Sequence, residues 1–400
     1  MREAVIVSAC RTAVGTMLGS LSSFHPKEFA IATGKECIQR AGITPDMIDE
    51  VVAGCVIQAG LGGNIARQIS YGLGIDPKAG AVTVNQLCSS SMRAFEIACQ
   101  NIMSGHTDIA LVCGVESMSG APYLVHKGRT GYRLGPGKLE DAMLYDGLIC
   151  TICGYHMGIT AENVAEKYGI SRQEQDELAL LSQQRLAAAQ AANKFADGEI
   201  IPFEIKTKKG VTWFDRDEHG KPETTLESLA KLAPAFKKGG TVTAGNASGI
   251  NDGGCAAIVM AREKADELGI KPLAKVLSTA TAGVPAEVMG LGPARAMPKA
   301  LKFAGLTFDD IEYWEINEAF AAQWLGVGRM LKEEQGWVID MDKVNHNGSG
   351  ISIGHPIGMT GLRIIIACLY ELQRMGATVG GASLCVGGGP AMATIISRDI

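Results

Sequence analysis

The stretch Ala41-Gly42-Ile43-Thr44-Pro45-Asp46-Met47-Ile48 returns late in the chain as Ala304-Gly305-Leu306-Thr307-Phe308-Asp309-Asp310-Ile311. Each copy ends a helix-like segment and leads into a short apolar strand. Two further pairings keep the same order. Ala4-Val5-Ile6-Val7-Ser8-Ala9 corresponds to Ala274-Lys275-Val276-Leu277-Ser278-Thr279. Val84-Asn85, a helix, a glycine and a strand over 109–114 recur as Val344-Asn345, a helix, Gly376 and a strand over 382–387, with a glycine-rich loop inserted in the second copy. Such self-similarity marks a duplicated structural unit. Apolar runs of four to six residues alternate with amphipathic helices, for example over 171–192, which is the pattern of α/β units whose sheets are covered on both faces. Residues 119–249, rich in glycine and charge, have no counterpart. The chain thus divides into an N-terminal half over 1–118, an inserted loop domain over 119–249 and a C-terminal half over 250–400.

At 400 residues the chain exceeds the roughly 250–300 at which a single core stops growing, so several packed units are expected. No apolar run approaches the roughly 20 residues that cross a bilayer, which excludes a membrane span. The net charge of −5 is dispersed rather than blocked, so no basic face exists to follow a nucleic acid backbone. The first residues pass directly into Val5-Ile6-Val7, leaving no room for a signal or transit segment, and the cytoplasm is the expected compartment. Eleven cysteines at irregular spacing read as free thiols, mostly buried. Cys150 and Cys153, with His156 behind them, lack the second ligand pair that structural zinc needs, so no metal site is expected.

Cys88 lies in Asn85-Gln86-Leu87-Cys88-Ser89-Ser90-Ser91, between an apolar strand and a helix predicted to begin near Ser90. A thiol at a helix N-terminus is expected to have a lowered pKa. The same spacing equally suits an inert cysteine at a strand–helix joint. A base for such a thiol is His355, within Gly348-Ser349-Gly350-Ile351-Ser352-Ile353-Gly354-His355-Pro356, where glycines permit close backbone approach. A turn residue is the plainer reading of a histidine beside proline. Cys385 precedes Gly387-Gly388-Gly389, whose N–H groups could bind an oxyanion. Neither a dinucleotide fingerprint nor a phosphate-binding loop of nucleotide hydrolases fits, because the chain ends too soon for the first and Leu139 stands where the second needs Ser or Thr.

In motif order and along nearly its whole length, the sequence resembles the thiolase family. The resemblance is carried by Cys88, Asn317-Glu318-Ala319-Phe320-Ala321, Gly354-His355-Pro356 and Cys385-Val386-Gly387-Gly388-Gly389. It implies the thiolase fold: two duplicated α/β halves in five layers, αβαβα, with a loop domain over the site. It also implies reversible condensation of two acetyl-CoA to acetoacetyl-CoA and CoA. Cys88 would carry the acetyl group and His355 would take its proton. Cys385 would remove the α-proton of the second acetyl-CoA. One oxyanion site would be His355 with a water held by Asn317, the other the N–H groups of Cys88 and Gly387.

By the same resemblance, His156 and Met157 face the acyl and pantetheine region, Ala244 and Ser248 the arm, Ser228 the nucleotide end and Phe320 the tunnel wall, with Ala319 and Met289 as further substrate- or CoA-binding residues and Met289 a mark of the short-chain type. Core packing is the alternative for Met157 and Phe320. Lys221 and Arg216 are candidates for the CoA phosphate. No separate cofactor is implied, coenzyme A being substrate and product. The expected assembly is a homotetramer, a dimer of dimers. Cleavage of longer 3-ketoacyl-CoA is the alternative within the family, and a non-catalytic acyl-CoA-binding protein is the alternative outside it. Two activated thiols in one pocket also suggest an oxidative Cys88–Cys385 crosslink. Three departures from the family pattern stand out: Ser91 where glycine is usual, the exchanges in Gly348-Ser349-Gly350, and Pro390 after the glycine run.

Overall fold

The computed structural model describes residues 2–208 and 210–400. The first half is built from β1 (Ala4–Thr12), α1 (Pro26–Ala41), β2 (Glu50–Gly54), α2 (Ile65–Gly72), β3 (Gly80–Val84), α3 (Ser90–Met103) and β4 (Ile109–Ser117). The insertion carries α4 (Met157–Tyr168) and α5 (Arg172–Ala191), the latter opened by a capping box between Ser171 and Glu174. After it come β5 (Asn251–Ala261), β6 (Ala274–Gly283), α6 (Pro293–Ala304), β7 (Tyr313–Ile316), α7 (Ala321–Gln335), α8 (Thr360–Met375), β8 (Val379–Cys385) and β9 (Pro390–Ser397).

The first sheet runs in the order β3-β2-β4-β5-β1 and the second β7-β8-β9-β6. At the fifth place of the second sheet, Val344 makes a parallel bridge to Trp314. The two sheets join into one through antiparallel pairing of Val5 with Lys275 and Ile6 with Ala274. Helices α3 and α8 pack on each other between the sheets, while α1 and α2 cover one outer face and α6, with α7 against it, the other. These are the five expected layers. β1, β4 and β5 are buried throughout, which is why their sequences are apolar runs rather than alternating ones.

The duplication is exact enough to repeat local irregularities. Gly42 and Gly305 end α1 and α6 in the left-handed region, at φ 67° and 69°, as residues without a Cβ do readily. The ladder of β1 shifts register between Ile6 and Ser8, and that of β6 between Val276 and Ser278, at matched positions of the repeat.

One expected boundary is corrected. The C-terminal half does not start at 250, because β5 pairs with β1 on one side and β4 on the other and so completes the first sheet. Its apolar sequence looked like a fresh start because the inserted segment separates it from its partners. The insertion is also tied into the sheet, since Ile200 and Ile201 run parallel to Arg11 and Thr12. Buried ion pairs from Arg11 to Glu199 and Asp217, at 2.9 and 2.8 Å, fasten it further.

Candidate active site

Cys88 is half-buried in a tight turn between β3 and α3. Asn85 Oδ1 accepts the Leu87 N–H at 3.0 Å, and the Ser90 hydroxyl accepts the Gln86 N–H at 3.0 Å while donating to the Leu87 carbonyl at 2.6 Å. This lacing holds Leu87 at φ 47°, a left-handed conformation unusual for leucine, which costs about 1–3 kcal/mol and presents the next residue outward. The helix begins at Ser90 as predicted.

The expected low thiol pKa is corrected. Burial pushes Cys88 up to about 11, and the N–H groups of Gly387 and of Cys88 itself only partly offset this. Desolvation outweighs the helix start. Those two N–H groups nevertheless both favour the Cys88 thiolate, one from each half of the chain. A Cβ at Gly387 would lie 2.4 Å from Met157 Cε and 2.8 Å from Leu87 Cδ1, so a larger residue there would displace the ends of those two side chains. Cys385 is buried, and burial followed by the nearby Cys88 raises its pKa as well.

His355 is also buried, and burial followed by the Arg363 charge lowers its pKa to about 3. Its N–H donates to Asn251 Oδ1 on β5 at 2.9 Å. The ring Nδ1 lies 2.7 Å from the Thr360 hydroxyl, which donates its one hydrogen to the Pro356 carbonyl at 2.9 Å. Thr360 must then accept from an Nδ1–H, so Nε2 carries the lone pair. That Nε2 has no protein partner among the described residues, and neither does Nδ2 of the buried Asn317, whose Oδ1 faces Arg363 Nη2 at 3.5 Å. Leaving such groups unpaired costs about 1–3 kcal/mol each, which marks them as held for something other than stability. The arrangement offers a soft nucleophile, an unprotonated imidazole nitrogen, a second thiol and two donor sets for developing negative charge, the requirements of acyl transfer.

Models of the thiolase N-terminal domain and thiolase C-terminal domain match residues 4–263 and 270–398. The chain belongs to the thiolase family. It is 52% identical over 397 residues to an acetyl-CoA acetyltransferase of Syntrophomonas wolfei, covering 99% of both chains, and 47% identical over 399 residues to one of Escherichia coli, covering 100% of both. The solved acetyl-CoA acetyltransferase structure from Syntrophomonas wolfei superposes with a TM-score of 0.98 at 55% identity over 100% of both chains. Human mitochondrial 3-ketoacyl-CoA thiolase in complex with CoA reaches 0.94 at 39% identity, covering 99% of this chain and 98% of that one.

Two cavities lie along this thiolase's site. One, of about 240 Å³, is walled by Leu87, Ile149, Ile152, Met157 and Gly387. The other, of about 260 Å³, is walled by His219, Lys221, Ser228, Leu229, Ala244 and Ala247. Ser228 and Ala244 thus share one cavity and Met157 lines the other. Ser248 donates its N–H to the Ala319 carbonyl at 2.9 Å, and Phe320 sits beside Ala247 in a bridge. His156 caps α4 through Nδ1 and stacks at 4.6 Å on Phe236, whose ring meets Phe320 edge-on at 6.0 Å. Met289 is buried and lines neither cavity. Arg216 lines a different cavity and donates to Gln190 at 3.1 Å, leaving Lys221 as the cation of the second cavity.

Sequence reasoning missed Phe236, His219, Thr360 and Arg363. Thr360 and Arg363 lie within eight residues of His355, so their helical spacing from it was the available signal. Nothing local marks Phe236. The Ser91 departure is resolved: its hydroxyl donates to the Met359 carbonyl and accepts the Leu362 N–H, both at 2.9 Å, joining α3 to the first turn of α8. Pro390 opens β9, where a strand tolerates a residue without N–H.

Proposed function

We propose that the chain is an acetyl-CoA C-acetyltransferase, condensing two acetyl-CoA reversibly to acetoacetyl-CoA and CoA. The reading rests on the Gly387 and Cys88 N–H groups, which both favour the Cys88 thiolate, together with an unpartnered Nε2 on His355. The named relatives support the substrate.

In the first half-reaction the Cys88 sulfur attacks the thioester carbonyl of acetyl-CoA while its proton passes to His355 Nε2. The oxyanion is held by the Cys88 and Gly387 N–H groups. The carbonyl re-forms, the C–S bond to coenzyme A breaks, and the departing thiolate takes the proton back from Nε2. In the second, the Cys385 thiol gives its proton to His355 Nε2 as its sulfur takes one from the methyl group of a second acetyl-CoA. The protonated His355 and a water on Asn317 Nδ2 stabilise the enolate oxygen. Its carbon attacks acetyl-Cys88, a C–C bond forms, the acyl C–S bond breaks, and the Cys88 thiolate recovers a proton from His355, leaving Cys385 as the thiol. Coenzyme A is substrate and product, and no further cofactor takes part.

Incubation with acetyl-CoA is expected to acetylate the peptide containing Cys88, and Cys88→Ser to show neither label nor turnover. Full activity in that variant would sink the proposal. We also infer a homotetramer acting in the cytoplasm. Among the described residues no helix is long and apolar enough to cross a membrane, and the insertion exposes Tyr123, Val125, Leu134 and Leu139, an apolar surface suited to burial between subunits. Light scattering on the purified protein should give four chains, and a monomer would refute this.

A further inference from the structure

Glu116, at the end of β4, is fully buried and takes no part in the chemistry above. Its Oε2 accepts the N–H groups of Val56 at 3.1 Å and Gly358 at 2.9 Å, and its Oε1 accepts that of Ile57 at 3.1 Å. These donors come from both halves of the chain. Gly358 lies in the 356–360 turn, between His355 and the Thr360 that fixes its tautomer. Val56 in turn accepts, through its carbonyl, the side-chain N–H of Asn85 at 3.3 Å, and Asn85 supports the Leu87 turn beneath Cys88. Gly358 is packed so closely that a Cβ would stand 2.7 Å from Glu116 Oε2 and 2.5 Å from the Val115 carbonyl.

No lysine, arginine or histidine donates to this carboxylate among the described residues. Three backbone N–H groups and the weak Cys55 thiol donor, 3.8 Å from Oε1, are its satisfaction, and burying a charge on such support is expensive. A neutral side chain could fill the position more cheaply if stability were the only demand.

We propose that Glu116, as the carboxylate, is a positioning residue that pins the His355 turn to the Cys88 turn across the two halves of the chain. Protonation converts one oxygen from acceptor to donor, and an O–H aimed at a backbone N–H breaks the pin. Burial raises this carboxyl to about 7, the N–H groups opposing it. The titratable groups facing it are Cys55, whose Sγ lies 3.8 Å from Oε1, and Cys88, whose thiol its charge raises; both are neutral at that pH. His355, lowered to about 3, does not titrate there. The pin therefore predicts an acid limb in activity that the histidine cannot supply. Its sign is fixed: the productive form is the anion, present above about 7 and lost as pH falls through it.

The inference rests on the proposed roles of Cys88 and His355, and the test separates the two. Single-turnover acetylation of Cys88 by acetyl-CoA, followed by mass spectrometry from pH 5.5 to 8.5, is expected to slow in the wild type as pH falls through about 7. Glu116→Gln should acetylate roughly 10- to 100-fold more slowly at pH 8 and lose the acid limb, with KM for acetyl-CoA unchanged. A flat wild-type profile overturns the inference whether or not the variant folds. So does a Glu116→Gln enzyme that keeps the limb or the full rate. Absence of acetyl-Cys88 in the wild type at every pH overturns the underlying reading instead.

Discussion

The two halves of the chain make the same connection in two ways, and the difference assigns their chemistry. In the first half β3 reaches α3 through residues 85–89; in the second, the bridge at Val344 reaches α8 through 345–359. Both connections contain a left-handed residue that is not glycine, Leu87 at φ 47° and Asn345 at φ 48°. In the short one, Asn85 braces its own turn and the chain immediately enters the helix, so Cys88 stands half-buried at the helix start. In the long one, Asn345 turns to the sheet instead, accepting the Ile316 N–H at 2.8 Å and donating to its carbonyl at 2.7 Å. The added residues then fold into a buried pocket around an imidazole. One duplicated joint became a nucleophile turn and the other a base loop. Burial acts on both in opposite directions, pushing the thiol up to about 11 and the imidazole down to about 3, so each is neutral at rest.

If the second half supplies both proton-handling groups to the nucleophile of the first, removing each of the two should stop a different step. His355→Ala is expected to slow acetylation of Cys88 by roughly 10²- to 10⁴-fold, since it removes the proton acceptor. Cys385→Ser should retain acetylation and lose condensation by a comparable factor. Rapid-quench measurement of acetyl-Cys88 in each variant reads this directly. Equal loss of both steps in both variants would break the division.

A second measurement addresses the resting state. With the thiol at about 11, its thiolate fraction should rise approximately tenfold per pH unit well beyond neutrality. Alkylation of Cys88 by iodoacetamide is expected to climb about 100-fold between pH 7.5 and 9.5. A plateau reached by pH 8 would mean that the helix start governs the thiol after all, as its sequence position alone suggested.

That contrast shows what the sequence could and could not convey. The duplication was legible because Gly42 and Gly305, or Ser8 and Ser278, answer to local backbone needs that leave local marks. The family motifs carried Cys88, His355, Asn317 and Cys385 because each sits in a short run of small residues. The pKa of Cys88 was misjudged because burial is a property of everything packed around the turn, including Gly387 and Met157 from distant segments. The place of β5 was misjudged for a similar reason: its partners, β1 and β4, precede the insertion. Glu116 and Phe236 act through contacts far along the chain, and no spacing rule marks them.

The smallest expected effect tests whether Ser91 is an independent feature of this chain or part of a matched set. Gly54 and Gly114 pair across β2 and β4 directly beneath it, and a Cβ on Gly114 would lie 2.6 Å from Ser91 Cβ. Ser91→Ala leaves the Leu362 N–H without its acceptor, while the Met359 carbonyl keeps the Arg363 N–H at 3.1 Å, and should cost about 1–3 kcal/mol, read by urea unfolding, with KM unchanged. Gly114→Ala should destabilise the wild type through the clash. Ser91→Gly should relieve part of that clash, leaving the contact at 3.1 Å to Cys255 Sγ, so the two substitutions together should cost less than their sum. Strict additivity would show that the serine merely occupies space the glycines did not provide, and that its hydroxyl is an addition to the α3–α8 contact rather than the reason for its shape.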